Sequence, residues 1–524
     1  MRAPAIALLM LAWGGVAEAR VGEDLLYASI AEQQAAMAAG RLSSAKLLNA
    51  YLARIRRLDT HGPRLNSVLA LDPVAIDHAR SMDTARRAGA RGALHGLPIL
   101  LKDNIESAGL PTTAGSLALK DNLPARDAPL VQRLRAAGAL ILGKANLSEW
   151  ANFRSNHSIS GWSAIGGLTR NPYALDRSAC GSSSGSAAAV AAGLATAAVG
   201  TETDGSITCP ASMNGVVGLK PTVGLVSRSR IVPIGASQDT AGPIARSVAD
   251  AAVLLTVMAG SDPSDPATAE ADAHRTDYAA VLDAKALIGA RIGVLRTNAG
   301  RSRGADAVFE AALARLKAAG AVLVEVQGPD MRPINEAEDL ILHVEFKAGI
   351  DAYLATTPDS VKTRTLAELI AFNAGEPRET LLFAQETFIE AQGSPGLDDP
   401  AYIAARDTAK RLAGPEGIDR LVRENNLAAL VAITNGPASV IDPVNGSVWL
   451  GSASSLPAVA GYPHLTVPMG DVAGLPVGLS FIGSAWSEAR LLSLGHAFEQ
   501  LGPPRLRPTF PAVTASAAAF DLSR

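Results

Sequence analysis

The chain has 524 residues, 48 of them glycine, which admits a large, tightly turning α/β protein with an extensive core. Forty-seven basic residues against 50 acidic ones give a formal charge of −3, and no basic stripe or Arg/Lys patch interleaved with aromatics is present, so nucleic acid is not an expected partner. After the first twenty residues no run reaches the ~18 uninterrupted apolar residues of a membrane helix, so no membrane association is expected of the mature chain.

Residues 1–19 read as a secretory signal: a positive start at Arg2, an apolar run from Ala5 to Trp13, and small residues Ala17 and Ala19 flanking Glu18, with cleavage expected after Ala19. The mature protein is then expected in the periplasm or outside the cell. Next, Ser29-Ile30-Ala31-Glu32 matches a capping box and starts a helix that Gly40 is suited to stop. Leu47, Leu48, Tyr51, Leu52 and Ile55 recur at helical spacing and predict a second amphipathic helix. From Ala93 short apolar runs alternate with helical patterns: Leu97 to Leu101, a helix near Leu130 to Ala137, and a strand at Ala139 to Leu142. The pattern resumes after the middle of the chain with strands at Arg291 to Leu295, Val322 to Val326, Leu427 to Thr434, Leu465 to Pro468 and Val477 to Ile482, and a closing helix over Ala485 to Leu501. This alternation predicts crossover units and a largely parallel or mixed sheet. No repeat or long linker divides residues 20–524, which are read as a single catalytic domain, with about 330–445 forming a variable, mostly helical cover.

The stretch from Ser178 to Ala211 is the most informative. Gly185 to Val199 is nearly all Ala, Gly and Val, and reads as a buried helix running into a strand. On either side stand Gly181-Ser182-Ser183-Ser184-Gly185 and Thr203-Asp204-Gly205-Ser206, and a helix-sized element between them can return the two hydroxyl loops to one place. Cys180 and Cys209 would then also be near one another, either as buried free thiols or as a disulfide. All eight histidines lie outside these loops, which leaves Lys102, at the end of an apolar run, as the alternative base for a serine.

The order of Leu97-Pro98-Ile99-Leu100-Leu101-Lys102-Asp103-Asn104, the Gly-Ser loop and Gly205-Ser206 resembles the amidase signature family. The resemblance continues through Gly143-Lys144-Ala145-Asn146-Leu147-Ser148-Glu149, Gly218-Leu219-Lys220-Pro221-Thr222, Asp239-Thr240-Ala241-Gly242-Pro243 and Gly474-Leu475-Pro476-Val477-Gly478-Leu479. Within the family, Cys180 to Gly185 together with Thr201 to Ser206 is most similar to the peptide amidases, which hydrolyse C-terminal peptide amides. The resemblance implies an α/β fold with one large mixed β-sheet covered by helices on both faces. It implies Ser206 as nucleophile, Ser182 as a relay preceded by a cis peptide bond, Lys102 as base, and the N–H groups of Thr203, Asp204, Gly205 and Ser206 as oxyanion donors, with no metal or cofactor. For the relay Lys102 must be neutral, so burial has to pull it down from ~10.4.

Asp204 stands where many family members have glycine; it is either a turn cap or a group that accepts a hydrogen bond from the substrate's primary amide. Other readings are an aryl acylamidase or esterase-type hydrolase of the same family, a glutamine-amidotransferase-like component of a larger assembly, and a nucleophile elbow centred on Ser183 in Gly181-Ser182-Ser183-Ser184-Gly185 with His464 or His496 as base. Many family members carry Gly-Gly-Ser-Ile-Arg where this chain has Asp204-Gly205-Ser206-Ile207-Thr208. The missing Arg and the export signal count against a tRNA-linked role.

Overall fold

The computed structural model describes residues 21–446, 448, 450–502 and 505–514, so the expected signal segment lies outside the described residues. Its frame is a run of strands: β1 (Val68–Leu71), β2 (Pro98–Lys102), β3 (Leu140–Ala145), β4 (Ala197–Glu202), β5 (Val217–Lys220), β6 (Thr240–Ala245), β7 (Arg291–Leu295), β8 (Val322–Val326), β9 (Ala429–Ile433), β10 (His464–Val472) and β11 (Leu475–Ile482). Among the described residues these eleven form one sheet in the order β1-β3-β2-β4-β6-β5-β10-β11-β9-β7-β8. The sheet is mixed. β2 is parallel to β3 and to β4, and β7 is parallel to β8 and β9, while the middle strands β6, β5, β10 and β11 pair antiparallel. β2 and β4 are buried along their whole length, as continuous apolar runs covered on both faces should be.

Local sequence explains most of the helices. Ser29 and Glu32 form the reciprocal cap of the helix Ile30–Ala38, and Gly40, at φ +70°, turns the chain out of it. β1 and β6 are not among the expected strands. β6 reads Thr-Ala-Gly-Pro-Ile-Ala, poor in strand formers, but its neighbours demand small residues: a Cβ on Gly242 would stand 2.0 Å from the carbonyl oxygen of Leu219 on β5.

The helix Ser184–Ala191 is buried on all sides. A Cβ on Gly185 would stand 2.3 Å from the Ser67 carbonyl oxygen and 2.5 Å from that of Asn146, so only glycine lets this helix lie against the backbone leaving β3. Behind the end of β2, Asp103 and Lys144 form a buried ion pair at 3.3 Å. The Lys144 amine also donates to the carbonyls of Ile105 and Pro111 and to Thr112 Oγ1, and Asp103 accepts from the amide and hydroxyl of Thr113. With the Lys144 amine and Asp103 Oδ2 hydrogen-bonded on either side of the ion pair, the pair is a seat for the turn that follows Lys102.

Residues 332–425 carry the helices Arg332–Ala355, Leu366–Gly375, Glu386–Gly393, Pro400–Ala413 and Asp419–Asn425. β9 then returns the chain to the sheet.

Candidate active site

Parallel pairing puts the carboxyl ends of β2 and β4 side by side, with Leu101 opposite Val199, so the residues just beyond, Lys102 and Thr201, meet. The Lys102 amine is fully buried and has three oxygen neighbours: Ser182 Oγ at 2.7 Å, Thr201 Oγ1 at 2.9 Å and the Thr201 carbonyl at 3.1 Å. Asn104 Nδ2 donates to the same Thr201 hydroxyl at 2.9 Å. Desolvation pulls the Lys102 amine down to about 7, against the opposing influence of Asp239 and Glu202. In the neutral form its two hydrogens fit the two Thr201 oxygens, which leaves the lone pair facing the Ser182 hydroxyl. The expected base and relay are therefore together, and the Gly181–Ser182 peptide bond is cis, as the resemblance implied.

Ser206 lies on the loop that follows β4. The Ser183 N–H donates to the Ser206 carbonyl at 3.1 Å, and a Cys180–Cys209 disulfide, Cα to Cα 6.0 Å, ties the same two loops. Of the two states open to the thiols, the bridge is the one found. Ser206 borders a pocket of about 190 Å³ with Gly181, Thr203, Asp204, Gly205, Asn152 and Leu342 around it. Gly205 sits at φ +81°, and a Cβ there would come within 2.9 Å of Ser454 Oγ, so both the turn and the close approach require glycine. Glu202 Oε2 accepts from the amides of Ile207 and Thr208 at 2.7 and 2.9 Å and caps the helix Thr208–Met213. The amides of Asp204, Gly205 and Ser206 donate to no protein acceptor among the described residues, a free set of donors beside the Ser206 hydroxyl.

Asp204 does not cap its own turn. Its Oδ2 accepts from Ser455 Oγ at 2.7 Å, while Oδ1 is buried without a protein partner. Burial pushes the carboxyl up from its ordinary value. Thr203 is held from the other side, its hydroxyl donating to Asp239 Oδ1 at 2.5 Å, and Asp239 Oδ2 accepts from the amides of Ile234 and Gly235. Lys220, from Gly218-Leu219-Lys220-Pro221-Thr222, lies buried behind the loop, pushed down to about 8 by desolvation.

The Ser183 elbow is ruled out. Its Oγ donates to the Thr201 carbonyl at 3.1 Å and accepts from the Thr201 amide at 3.2 Å, so the hydroxyl is spent on β4. Of the two histidines offered as its base, His464 sits on β10 against Ser480 Oγ at 2.6 Å and is pushed down to about 3 by burial, and His496 is on the helix Glu488–Glu499. Sequence reading does not single out Thr201, Asn104 or Asp239 as working parts, although all three stand inside the quoted motifs. It also misses the turn Trp150-Ala151-Asn152, where three non-glycine residues have φ between +48° and +74° at the pocket wall. Non-glycine residues in this region carry backbone strain, and such strain concentrates at functional sites.

The family model named Amidase matches residues 46–492. The native peptide amidase of Stenotrophomonas maltophilia superposes with a TM-score of 0.88 at 55% identity, covering 92% of this chain and 98% of that one. A probable amidase of Arabidopsis thaliana is 37% identical over 520 residues, 96% of each chain. A glutamyl-tRNA(Gln) amidotransferase subunit from Halorhodospira halophila is 37% identical over 503 residues, 90% of this chain and 97% of its own. The chain belongs to the amidase family and is an amide-hydrolysing enzyme.

Proposed function

We propose that this amidase removes ammonia from the C-terminal amide of peptides, with Ser206 as nucleophile, Ser182 as proton relay and Lys102 as base. The observation that carries the relay is the 2.7 Å contact between a fully buried Lys102 amine and Ser182 Oγ. The likeness at 55% identity to a peptide amidase supports the substrate class, against 37% for the tRNA-linked amidotransferase.

In the reaction, Ser206 Oγ attacks the amide carbon while its proton passes to Ser182 and that of Ser182 to Lys102. The amides of the 203–206 loop receive the developing oxyanion. As the C–N bond breaks, the proton returns through Ser182 to the leaving nitrogen, and ammonia departs from an ester on Ser206. Water then repeats the sequence and releases the acid. None of these steps draws on a metal or cofactor.

Export to an oxidising compartment, as residues 1–19 suggest, belongs to the same proposal, and the Cys180–Cys209 bridge supports it. The deciding measurement is ammonia release from a panel of peptide amides, anilides and esters. Peptide amides are expected to be the best substrates; turnover of anilides or esters with no turnover of peptide amides would overturn the reading.

A further inference from the structure

Glu149 and Glu379 meet in a dry space between the sheet core and the helices of 332–425. Glu149 directly precedes the turn Trp150-Ala151-Asn152, whose Ala151 and Asn152 line the Ser206 pocket. Glu379 belongs to the segment between the helices Leu366–Gly375 and Glu386–Gly393. Both side chains are almost fully buried, and the two carboxyls are in hydrogen-bond contact with each other. Two carboxylates offer each other only acceptors, so such a contact requires a proton on one of them.

The remaining partners fit a single proton. Glu149 Oε2 accepts from the Ala164 amide at 3.2 Å, and Glu379 Oε1 accepts from Ser116 Oγ and the Leu117 amide at 2.9 and 2.6 Å. Among the described residues, Glu149 Oε1 and Glu379 Oε2 accept no aligned hydrogen bond. A proton held between the carboxyls serves the oxygens left over. The charges also balance. Arg154, fully buried too, has Nε 3.2 Å from Glu149 Oε1 and lies over the Phe383 ring at 4.3 Å. One guanidinium and one carboxylate cancel, whereas a second carboxylate would leave an unpaired charge in the interior. Glu386 is the further charge that acts on Arg154, and it is taken up by Ser155 Oγ and the Asn156 amide. Burial, with the Glu379 charge added to it, pushes Glu149 well above the ordinary glutamate range. Trp150, next in the chain, packs edge-on against Phe388 of the helical cover at 5.8 Å. The seat of the turn on the cover therefore depends on the two carboxyls staying together.

We propose that Glu149 and Glu379 share one proton and act together as positioning residues for the Ser206 pocket, holding the turn Trp150-Ala151-Asn152 against the helical cover. The assignment rests on Ser206 marking the substrate pocket. Gln in place of either glutamate offers an N–H where the acid offered its O–H, and leaves one carboxylate for Arg154.

The test compares the wild type with Glu149→Gln and Glu379→Gln in denaturant titrations from about pH 5 to about pH 8. An unfolded glutamate releases its proton near ~4.3, while the folded pair keeps one. The stability of the wild type should therefore fall relative to both variants as the pH rises, by up to about tenfold in the folding constant per pH unit, until the folded pair ionises. Differences flat with pH in both variants would show that no proton is held, and a slope against only one of them would place the proton on a single carboxyl; either result overturns the sharing. With the best amide substrate of the panel, both Gln variants should keep KM within about twofold of wild type. Glu149→Asp, a methylene short of Glu379, should raise KM by about tenfold, the loss of one pocket contact, with kcat within about threefold. An unchanged KM in Glu149→Asp, or a rise as large in the Gln variants, would remove the positioning role. If Ser206→Ala keeps its activity, the site reading fails and the positioning with it, while the pH slope, read without substrate, still decides the proton.

Discussion

Lys102, proposed as the base, can serve in that role only when uncharged. With the group pulled down to about 7, activity is expected to fall on an acid limb near that pH as Lys102 gains a proton. A kcat/KM profile that stays flat down to pH 5 would contradict the role. The same shift acts on stability. An unfolded lysine releases its proton near ~10.4, so between that pH and about 7 the unfolded chain holds a proton that the folded one has lost, and stability rises with pH through this window. The penalty is absent above the upper value and fully present below the lower one. Lys102→Met should abolish activity while its stability relative to wild type improves as the pH is lowered from about 10 to 7. The gross gain is up to ~5 kcal/mol at ~1.36 kcal/mol per unit, less ~1 kcal/mol for each lost hydrogen bond. A stability difference that does not vary with pH would remove the argument. Ser206→Ala, Ser182→Ala and Lys102→Ala should each cost most of the activity, yet combine to far less than the product of the single losses, because they act as one unit. Asp204 borders the pocket with one oxygen taken by Ser455 and the other buried without a protein partner; we propose that it accepts from the –NH₂ of a primary amide and, when ionised, repels a free carboxylate by ~4 kcal/mol at ~4 Å and an effective dielectric of about 20. Asp204→Asn should strengthen product inhibition by the free acid and weaken the preference for amides over esters. Unchanged values of both in a folded variant would reduce Asp204 to a structural residue.

At the scale of elements, the site depends on how closely the helix Ser184–Ala191 approaches its neighbours. Gly185→Ala drives a methyl into the Ser67 and Asn146 carbonyls, and a loss of ~1–3 kcal/mol is expected in denaturant titration, with kcat falling as Ser182 and Ser206 move apart. The disulfide works on the same pair of loops. Converting both Cys180 and Cys209 to serine removes a constraint across a sequence separation of 29 residues and should cost ~2–4 kcal/mol. Incubating the native enzyme with a dithiol reductant should lower its melting temperature in the same direction; a double variant as stable as wild type would show that the Ser183–Ser206 backbone bond suffices to hold the loops. The small side chains of this helix and the turn residues around it were legible in sequence, since a run of Ala, Gly and Val between two hydroxyl loops has few other uses. β6 was not, because Thr-Ala-Gly-Pro-Ile-Ala carries no strand propensity of its own and is a strand only because β4 and β5 flank it.

At the scale of the molecule, the helices of 332–425 are fastened to the core by glutamates that accept from core donors. Glu338 takes the Gln238 amide at 2.7 Å, Glu345 takes the amide and hydroxyl of Ser237 at 2.9 Å, Glu379 takes Ser116 Oγ and the Leu117 amide at 2.9 and 2.6 Å, and Glu386 takes Ser155 Oγ at 2.6 Å. Glu379→Ala leaves the buried Ser116 hydroxyl and the half-buried Leu117 amide without this acceptor, so a loss of ~1–3 kcal/mol is expected, with faster hydrogen exchange in 332–425 than in the sheet. Uniform exchange across both would argue against the fastening. Sequence alone supplied the residues proposed as nucleophile, relay and base, because Lys102 and the two serine loops stand in the order of the amidase signature family, and that resemblance implies Ser206, Ser182 and Lys102 in those roles. The alternation of apolar runs with helical periods predicted a largely parallel or mixed sheet, and the family resemblance implied the single large mixed sheet that the structure has. Only the tertiary structure decided that Thr201 orients the Lys102 amine and that Asp204 turns toward Ser455. Each of these depends on which distant segments meet, and a residue's neighbours across a sheet edge leave no periodicity in its own stretch of chain.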